Sequence, residues 1–380
     1  MGTVFWRTLP WGLGYQGHLR AKEHQNVRQV LECAGPPALS ARLNSQQAQL
    51  DPAGTSVSDL RPPPSALCLP ASSAFHPPSS IPYLPPVHFR KVTIVGVGLL
   101  GGSLGLALKK RRLADEVAGY VRRKASIIEC KKAAAVDSCT TDLHEAVQDA
   151  DLIVLCTPLA QMLPLFKEMR TSIKRGAILT DVGSVKTTVV KELESLVAKA
   201  GAHFIGSHPM AGAEKTGVAA ARESLFENAV CVVTPTRKSN QAALKKTEQL
   251  WKAVGARVMR LAPELHDELV SRSSHLPHVV AATLANLVLD PKHPKSQPLL
   301  CANGFRDTTR IASGSPEMWR DIAVANRKNL SKALDTFIRE LKTFQKALNR
   351  TDEKAAEKFF AQGKQRRDAW CARCASPSPE

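Results

Sequence analysis

Short apolar runs bounded by turn residues alternate with helical segments between Arg90 and about Leu261. The first run lies in VTIVGVGLLGGSLGLAL, where a stretch rich in β-branched residues breaks at glycines and resumes at helical spacing. Six further runs have the character of strands: EVAGYV, DLIVLCTP, AILTDVGS, HFIGSHP, NAVCVVTP and ARVMRL. Strands that alternate with helices in this way predict an α/β fold with a doubly wound, mostly parallel sheet of the Rossmann type.

Beyond about Leu261 the strand pattern stops and helical patterns take over. One pattern runs from Pro263 to Leu287, and Pro277 predicts a kink in it, because proline removes a helical hydrogen bond and clashes with the preceding turn. A second pattern places apolar residues alternately four and three positions apart: Leu330, Leu334, Phe337, Leu341, Phe344 and Leu348. Such a seam packs against another helix, either within one subunit or across a dimer interface, and both interpretations stay open.

These patterns divide the chain. Residues 1–88 are rich in Pro and Ser towards their end and lack a sustained apolar period, so we expect a disordered extension. The opening has no secretory signal; organelle targeting, an extension without function and a start codon placed too far upstream are the alternatives. Residues 89–260 then form the sheet domain, residues 261–372 a helical domain, and residues 373–380 a tail.

The glycine turn has a specific chemical interpretation. Gly96 allows a sharp turn, Gly98 allows the backbone to approach a pyrophosphate, and Gly101 allows the helix to pack closely on the strand. The pyrophosphate would then meet the free N–H groups of Leu99 and Leu100 at the helix N-terminus. We expect a dinucleotide site, with a purely structural turn as the alternative.

The end of the second strand bears on the choice of cofactor. An acid at this position binds the ribose hydroxyls of NAD, whereas arginine suits the 2′-phosphate of NADP. Here Val121 occupies the acidic position and is followed by Arg122 and Arg123. NADP is therefore favoured, although NAD stays possible and an exposed basic turn is the alternative. Thr157 and Pro158, in the loop after a later strand, are further candidates for cofactor binding.

Charge and cysteine content exclude other classes. The net charge of +18 would attract phosphates, but the basic residues alternate with acids on helices and lack aromatic neighbours. We expect no nucleic-acid partner, and no apolar run reaches the roughly 20 residues that a membrane helix needs.

The nine cysteines are odd in number and scattered, which favours a reducing cytoplasm. Cys371 and Cys374 form a lone CxxC, and His275 and His278 could be a zinc pair, but neither has further ligands at suitable spacing, so no metal is expected.

Three clusters carry candidate chemistry: SHPMAGAE, SRSSHLPH and GFRDTTR. His208, after a strand, would lie at the carboxyl edge of the sheet, where it can take a proton as hydride leaves a substrate. His275 and His278 lie in the kinked helix, where polar groups open towards a ligand. Arg310 ends the third cluster and suits a substrate carboxylate. Each has a structural alternative: a capping or surface histidine, or an arginine paired with Asp307.

The motifs GVGLLGGSLGLAL, DVGSVK, SHPMAGAEKTG, SHLPH and GFRDTTRIASGSPEMWRDI, in that order, closely resemble those of the prephenate and arogenate dehydrogenases of tyrosine biosynthesis. The resemblance covers roughly residues 90–350. It implies a nucleotide-binding domain followed by a helical dimerisation domain of the 6-phosphogluconate dehydrogenase kind, and a homodimer formed through that domain. It also implies oxidative decarboxylation of prephenate or arogenate.

The resemblance further implies residue roles. His208 draws the proton of the ring hydroxyl, Ser184 holds that hydroxyl and orients His208, and Arg310 grips the substrate carboxylate. The remaining substrate-binding residues implied in this way are His275, His278, Ser274, Glu214, Asp307 and Trp319.

Two features depart from the family pattern. NAD-dependent members usually carry an acid where this chain has Val121. Only a short Ser/Pro tail follows Ala372, so we expect no control through a regulatory domain of the ACT type.

Two rival hypotheses are a β-hydroxyacid dehydrogenase, which needs a catalytic lysine that the helical region does not offer, and a non-catalytic nucleotide-sensing dimer.

Overall fold

The computed structural model describes residues 87–212 and 215–375. The expected disorder of residues 1–88 and the expected tail at residues 373–380 therefore fall largely outside the described residues. Val87 is within them and is buried in the core.

Eight strands of the described residues form one sheet, in the order β3-β2-β1-β4-β5-β6-β7-β8. Its strands are β1 (Phe89–Val95), β2 (Ala114–Tyr120), β3 (Ser138–Thr140), β4 (Leu152–Leu155), β5 (Ile178–Asp181), β6 (His203–Pro209), β7 (Val230–Thr234) and β8 (Arg257–Arg260). Neighbouring strands are parallel except β6 and β7, which are antiparallel. The predicted doubly wound, mostly parallel sheet is confirmed.

The short strand β3 was not among the predicted strands. Its three residues, SCT, are too few to produce an apolar alternation, and only one of its edges pairs, with β2. Its formation depends on the neighbouring strand rather than on local pattern.

In the part of the chain that the structure describes, six helices accompany the sheet. They are α1 (Leu99–Lys110), α2 (Lys124–Lys132), α3 (Leu143–Val147), α4 (Leu159–Met169), α5 (Thr187–Lys199) and α6 (Gln241–Ala253). A 3₁₀ turn spans Val218–Ala220. The six helices cover both faces of the sheet. The central strands are therefore apolar on both faces.

The central strand shows how the two cores form. Successive side chains of a strand point to opposite faces. Ile94 accordingly packs in one core with Leu104 and Trp251, while the adjacent Val95 packs in the other with Phe166. This rigid centre positions the loops at the carboxyl ends of the strands.

A helical domain follows β8. Its helices are α7 (Pro263–Val270), α8 (Leu276–Val288), α9 (Asn303–Thr309), α10 (Pro316–Ala325), α11 (Arg327–Asn349) and α12 (Glu353–Ala375). Two 3₁₀ turns lie at Gln297–Leu300 and Arg310–Ser313. Within the described residues, no helix is both long and apolar enough to cross a membrane.

The segment predicted as one kinked helix has a π-helical turn, Ser271–His275, between α7 and α8. Pro277 is the second residue of α8, so the irregular turn lies directly before it rather than at the proline. The wider turn accommodates the missing proline N–H, and π turns often occur at functional sites.

The seam of α11 has two environments. Leu330 is buried against the rest of the domain, and Phe344 stacks on Phe359 of α12 with ring centroids 4.5 Å apart. Leu341 and Leu348 are 47% and 55% exposed. Packing within the chain therefore accounts for part of the seam, and the exposed part is available to another surface.

Candidate active site

The glycine turn between β1 and α1 leaves space beside the backbone. A Cβ atom at Gly101 would lie 2.2 Å from the carbonyl oxygen of Gly96, and Gly96 itself has φ of +100°. A Cβ at Gly98, in contrast, would meet no atom of the described residues within 4 Å. Close packing at two glycines and open space at Gly98 fit a turn that receives a pyrophosphate.

A second observation at this place also indicates a ligand. Thr157 follows β4, and within the described residues its buried hydroxyl oxygen has no hydrogen-bond partner. Pro158 caps the start of α4, and Leu99 and Leu100 are partly buried in the first turn of α1. The orphaned hydroxyl beside the glycine turn fits a bound dinucleotide.

The residues after β2 present a basic edge. Val121 is buried, whereas Arg122 and Arg123 are exposed. Arg123 occupies the N-cap position of α2 without a capping hydrogen bond from its side chain. An exposed pair of guanidinium groups at the end of the second strand fits a 2′-phosphate.

His208 lies within the sheet rather than in the loop that follows it. It is the penultimate residue of β6 and pairs with Val232 of the antiparallel β7. Its side chain is buried, with 7% of the residue exposed. The strand pairing gives the imidazole a fixed backbone.

A line of three side chains connects His208 to a carboxylate in the helical domain. Nδ1 of His208 lies 2.9 Å from Nε2 of His266, and Nδ1 of His266 lies 2.8 Å from Oδ1 of Asp267. An ionised carboxylate only accepts hydrogen bonds, so Nδ1 of His266 carries a proton; in the neutral form of His266 its Nε2 then accepts a hydrogen bond from Nδ1 of His208. Nε2 of His208 is then an acceptor, which is the form a general base needs.

Asp267 is fixed to the sheet domain at the same time. Its two carboxylate oxygens accept the backbone N–H groups of Lys186 and Thr187 at 2.7 and 2.9 Å. Burial opposes ionisation of Asp267, but hydrogen bonds from His266 and these backbone groups outweigh it and hold its pKa below the usual value. The carboxylate therefore stays ionised and joins the start of α5 to α7.

A buried ion pair lies beside this line. The ammonium group of Lys186 pairs with Asp181 and also donates to the carbonyl oxygen of Ser207 at 2.7 Å. Both charged side chains are fully buried. The pair ties the ends of β5 and β6 together immediately before His208.

These surroundings keep His208 neutral. Burial lowers its pKa well below the usual range, and the proximity of His266, Lys186 and His275 lowers it further. A neutral imidazole whose Nδ1 is held by His266 presents Nε2 as a base at neutral pH.

His275 and His278 line a cavity of about 350 Å³ in the helical domain. The ring of His278 stacks on Trp319 with centroids 3.6 Å apart, and its Nδ1 contacts the carbonyl oxygen of Ser274 at 2.9 Å. His275 is 1% exposed, lies edge-on to Trp319 and receives a hydrogen bond from Asn326. The sequence-predicted His275, His278 and Trp319 are thus brought together.

The other candidate residues lie around this centre. Ser184 is in the loop after β5, and its backbone approaches His275. Arg310 begins the exposed turn whose next residues, Ile311 and Ala312, line the cavity. Asp307 is exposed on α9. Glu214 lies outside the described residues.

Sequence reasoning missed His266, Asp267, Lys186 and Asn326. In the sequence, His266 and Asp267 belong to an ordinary amphipathic segment, PELHDELV, and Asn326 separates two helices. A signal was available in the adjacent His-Asp pair at the start of the helical domain. Their partners lie far along the chain, so only the packed structure reveals them.

Comparison with known proteins agrees with this arrangement. Residues 104–260 match the nucleotide-binding domain of prephenate dehydrogenase, and residues 262–362 match its dimerization domain. The prephenate dehydrogenase of Bacillus subtilis (strain 168) is 36% identical over 282 residues, which are 73% of this chain and 75% of the relative.

Two solved structures share the fold of both domains. Prephenate dehydrogenase from Aquifex aeolicus, in complex with hydroxyphenyl propionate and NAD⁺, has a TM-score of 0.69 and 32% identity, and the match covers 74% of this chain and 98% of that one. Arogenate dehydrogenase from Synechocystis has a TM-score of 0.62 and 31% identity, with coverage of 74% and 99%. The resemblance found in the sequence motifs is confirmed: the chain belongs to the prephenate dehydrogenase family of NAD(P)-dependent oxidoreductases.

Proposed function

We propose that the protein catalyses oxidative decarboxylation of prephenate to 4-hydroxyphenylpyruvate, of arogenate to tyrosine, or of both, as a step of tyrosine biosynthesis. The observation that carries the proposal is the line from His208 through His266 to Asp267, which leaves Nε2 of His208 as an acceptor. Relatives named as prephenate and arogenate dehydrogenases support the same class of substrate.

In the proposed reaction, Nε2 of His208 accepts the proton of the ring hydroxyl as hydride leaves the same ring carbon. The glycine turn would hold NAD(P), which would supply the acceptor for that hydride. His208 returns the proton to the phenol oxygen as the electrons of the bond to the departing CO₂ enter the ring. Since formation of the aromatic ring supplies the driving force, the protein mainly positions and polarises the substrate.

Substrate binding is assigned to the helical domain. Arg310 grips a carboxylate, because a guanidinium fork matches its two oxygens. His275, His278, Ser274 and Trp319 bind the rest of the substrate in or beside the cavity of about 350 Å³. Ser184 holds the ring hydroxyl, and Glu214 and Asp307 act at the mouth of the pocket.

We infer that Nδ1 of His208 is oriented by His266 rather than by Ser184. The distance of 2.9 Å between the two imidazoles and the burial of both rings support this division of roles. Ser184, in the loop after β5, is then left to bind substrate.

NADP is the proposed cofactor, with NAD as the alternative. The exposed Arg122 and Arg123 after buried Val121 support recognition of the 2′-phosphate. The wider basic surface of the chain would also attract a dianionic substrate.

A homodimer formed through the helical domain is the proposed assembly, and the cytoplasm the proposed location. Large apolar side chains in this domain are strongly exposed, such as Leu287 at 64% and Phe360 at 64%. A second copy of the same domain can cover such a surface. The described cysteines with placed side chains are all free thiols, which fits a reducing compartment.

The proposal is tested by assaying the full chain with prephenate and with arogenate, each with NADP⁺ and with NAD⁺, and following formation of the reduced nicotinamide. We expect turnover with at least one substrate and a His208→Asn variant that loses turnover while it binds cofactor normally. No reduction in any of the four assays would reject the proposed reaction, and full turnover by His208→Asn would reject its mechanism.

A further inference from the structure

Asn326 contacts two groups that together fix the orientation of its amide. Its amide nitrogen lies 2.8 Å from the main-chain carbonyl oxygen of Asp267 and 3.1 Å from Nδ1 of His275. A carbonyl oxygen only accepts hydrogen bonds, so the NH₂ group, and not the amide oxygen, faces Asp267. The second hydrogen of the same NH₂ group points to Nδ1 of His275, which must accept it.

This contact determines where His275 carries its proton. Burial is the largest cause that lowers the pKa of His275 to about 4, and the nearby charge of Asp267 offsets it only in part. The ring is therefore neutral at neutral pH, and because Nδ1 accepts, the single proton is on Nε2. Within the described part of the chain, Nε2 is buried and no group reaches it with hydrogen-bond geometry; the backbone of Ser184 also approaches the ring and favours its protonated form, but it does not outweigh burial.

A buried N–H group without an acceptor costs free energy unless a ligand satisfies it. His275 lines the cavity that also contains His278 and Trp319, so the unsatisfied donor belongs to a side chain of the substrate pocket. We propose, on the basis of the proposed function, that Asn326 is a positioning residue that makes His275 a hydrogen-bond donor to an oxygen of the bound substrate.

His208 and His275 then have opposite hydrogen-bonding roles at Nε2. Nε2 of His208 accepts, because His266 and the carboxylate of Asp267 fix its proton on Nδ1. Nε2 of His275 donates, because Asn326, held by the main-chain carbonyl of Asp267, occupies its Nδ1. Asp267 of α7 thus determines both roles. Nε2 of His208 can accept a proton, and Nε2 of His275 can donate a hydrogen bond.

The proposal is tested first without substrate, by ¹⁵N–¹H correlation spectra of the histidine rings in the ligand-free full-length protein. The wild type should show His275 with its proton on Nε2. Asn326→Asp should move the proton to Nδ1, because the carboxylate accepts where the amide donated, and Asn326→Ala should show a mixture of both forms. A wild-type spectrum with the proton on Nδ1 would overturn the proposal. This measurement does not depend on the folding of any variant.

Steady-state kinetics then measure the effect on substrate. Asn326→Asp should raise KM about 10- to 100-fold, the loss expected for one hydrogen bond to a charged group, with a smaller change in kcat. Asn349→Asp is the matched control, since it makes the same change of side chain and charge at the exposed far end of α11. Unchanged KM in Asn326→Asp after a confirmed tautomer switch would refute the donor role.

Failure of this inference differs from failure of the proposed function. If the chain turns over neither prephenate nor arogenate, the ring spectra still decide the tautomer of His275. If turnover is normal and the spectra show no change in Asn326→Asp, the reaction stands and the role of Asn326 falls.

Discussion

His208 from the sheet domain and His266 from the helical domain share a hydrogen bond of 2.9 Å, with their ring planes 73° apart. In the proposed mechanism, the residue that takes the proton and the residue that orients it therefore belong to different domains. The carboxylate of Asp267 completes the line and is held by backbone N–H groups at the start of α5. The contact between the domains thus also determines which ring nitrogen of His208, the proposed base, carries the proton.

Replacement of His266 by leucine should impair catalysis more than binding. Without an acceptor at its Nδ1, His208 can place its proton on Nε2, and a base in that form cannot accept the substrate proton. We expect kcat to fall about 100-fold or more, a typical contribution of a general base, with little change in cofactor affinity. The measurement is kcat and KM over a pH range, together with the dissociation constant of the cofactor.

His203→Leu is the control for this change, because His203 is on the same strand as His208 but at its opposite end. His266→Gln should recover part of kcat, since its amide oxygen can accept from His208. Equal activity of His266→Leu and the wild type would exclude an orienting role for His266.

The sheet could be predicted from the sequence, whereas the line of histidines could not. Residues such as Ile94 and Val95 are apolar on successive positions because both faces of β1 are buried, and this local pattern is visible in one dimension. His266 owes its function to a partner on β6, and Asn326 to a partner on the π-helical turn. Such contacts arise from tertiary packing, and no local periodicity encodes them.

The motifs predict His208 as the catalytic histidine, and the structure gives it a setting that they do not predict. His208 follows an apolar run, so a position at the edge of the sheet was predictable. The pairing of Ser207 and His208 with β7 was not, because an antiparallel neighbour after six parallel strands leaves no separate mark in the sequence. Ser184 is expected to orient His208; the structure places His266 at Nδ1 of His208, and the role of Ser184 stays a prediction.

Two alanine substitutions in the glycine turn should separate folding from cofactor binding. Gly98→Ala adds a methyl group where no described atom lies within 4 Å, so we expect an unchanged Tm and weaker binding of the dinucleotide. Gly101→Ala forces a Cβ to 2.2 Å from the carbonyl oxygen of Gly96, so both Tm and cofactor affinity should fall. Thermal unfolding without ligand and titration with NADP⁺ provide the two readouts.

Each of these variants is the control for the other. A large drop in Tm for Gly98→Ala would show that the open space is needed for the fold itself. Normal cofactor affinity in Gly98→Ala would remove the pyrophosphate from this position.

Arg122→Ala should weaken NADP⁺ binding selectively. The exposed guanidinium follows the second strand, where a 2′-phosphate is recognised, and a charge-assisted hydrogen bond contributes about 1.5–3 kcal/mol. We therefore expect a loss of about tenfold or more in NADP⁺ affinity with little change for NAD⁺. Lys132→Ala, at the other end of α2, is the control for a general change in charge. Equal losses for the two cofactors would contradict recognition of the 2′-phosphate.

The free energy of unfolding should fall as the pH falls from about 6.5 to about 4, because His275 has its pKa lowered from 6.5 to about 4 in the folded protein. The unfolded chain binds a proton at this histidine in that range and the folded chain does not, so protons favour unfolding. The slope for one such group is about 1.4 kcal/mol per pH unit, and the full effect is about 3 kcal/mol. His208, whose pKa is also lowered by burial, adds in the same direction.

Urea unfolding at several pH values gives the slope of the unfolding free energy against pH. This slope should be shallower in His275→Gln than in the wild type, and unchanged in the control His144→Gln, since His144 is exposed on α3. If His275→Gln keeps the full wild-type slope, His275 is not a neutral buried group in the folded protein, and its role as a neutral donor is lost with it.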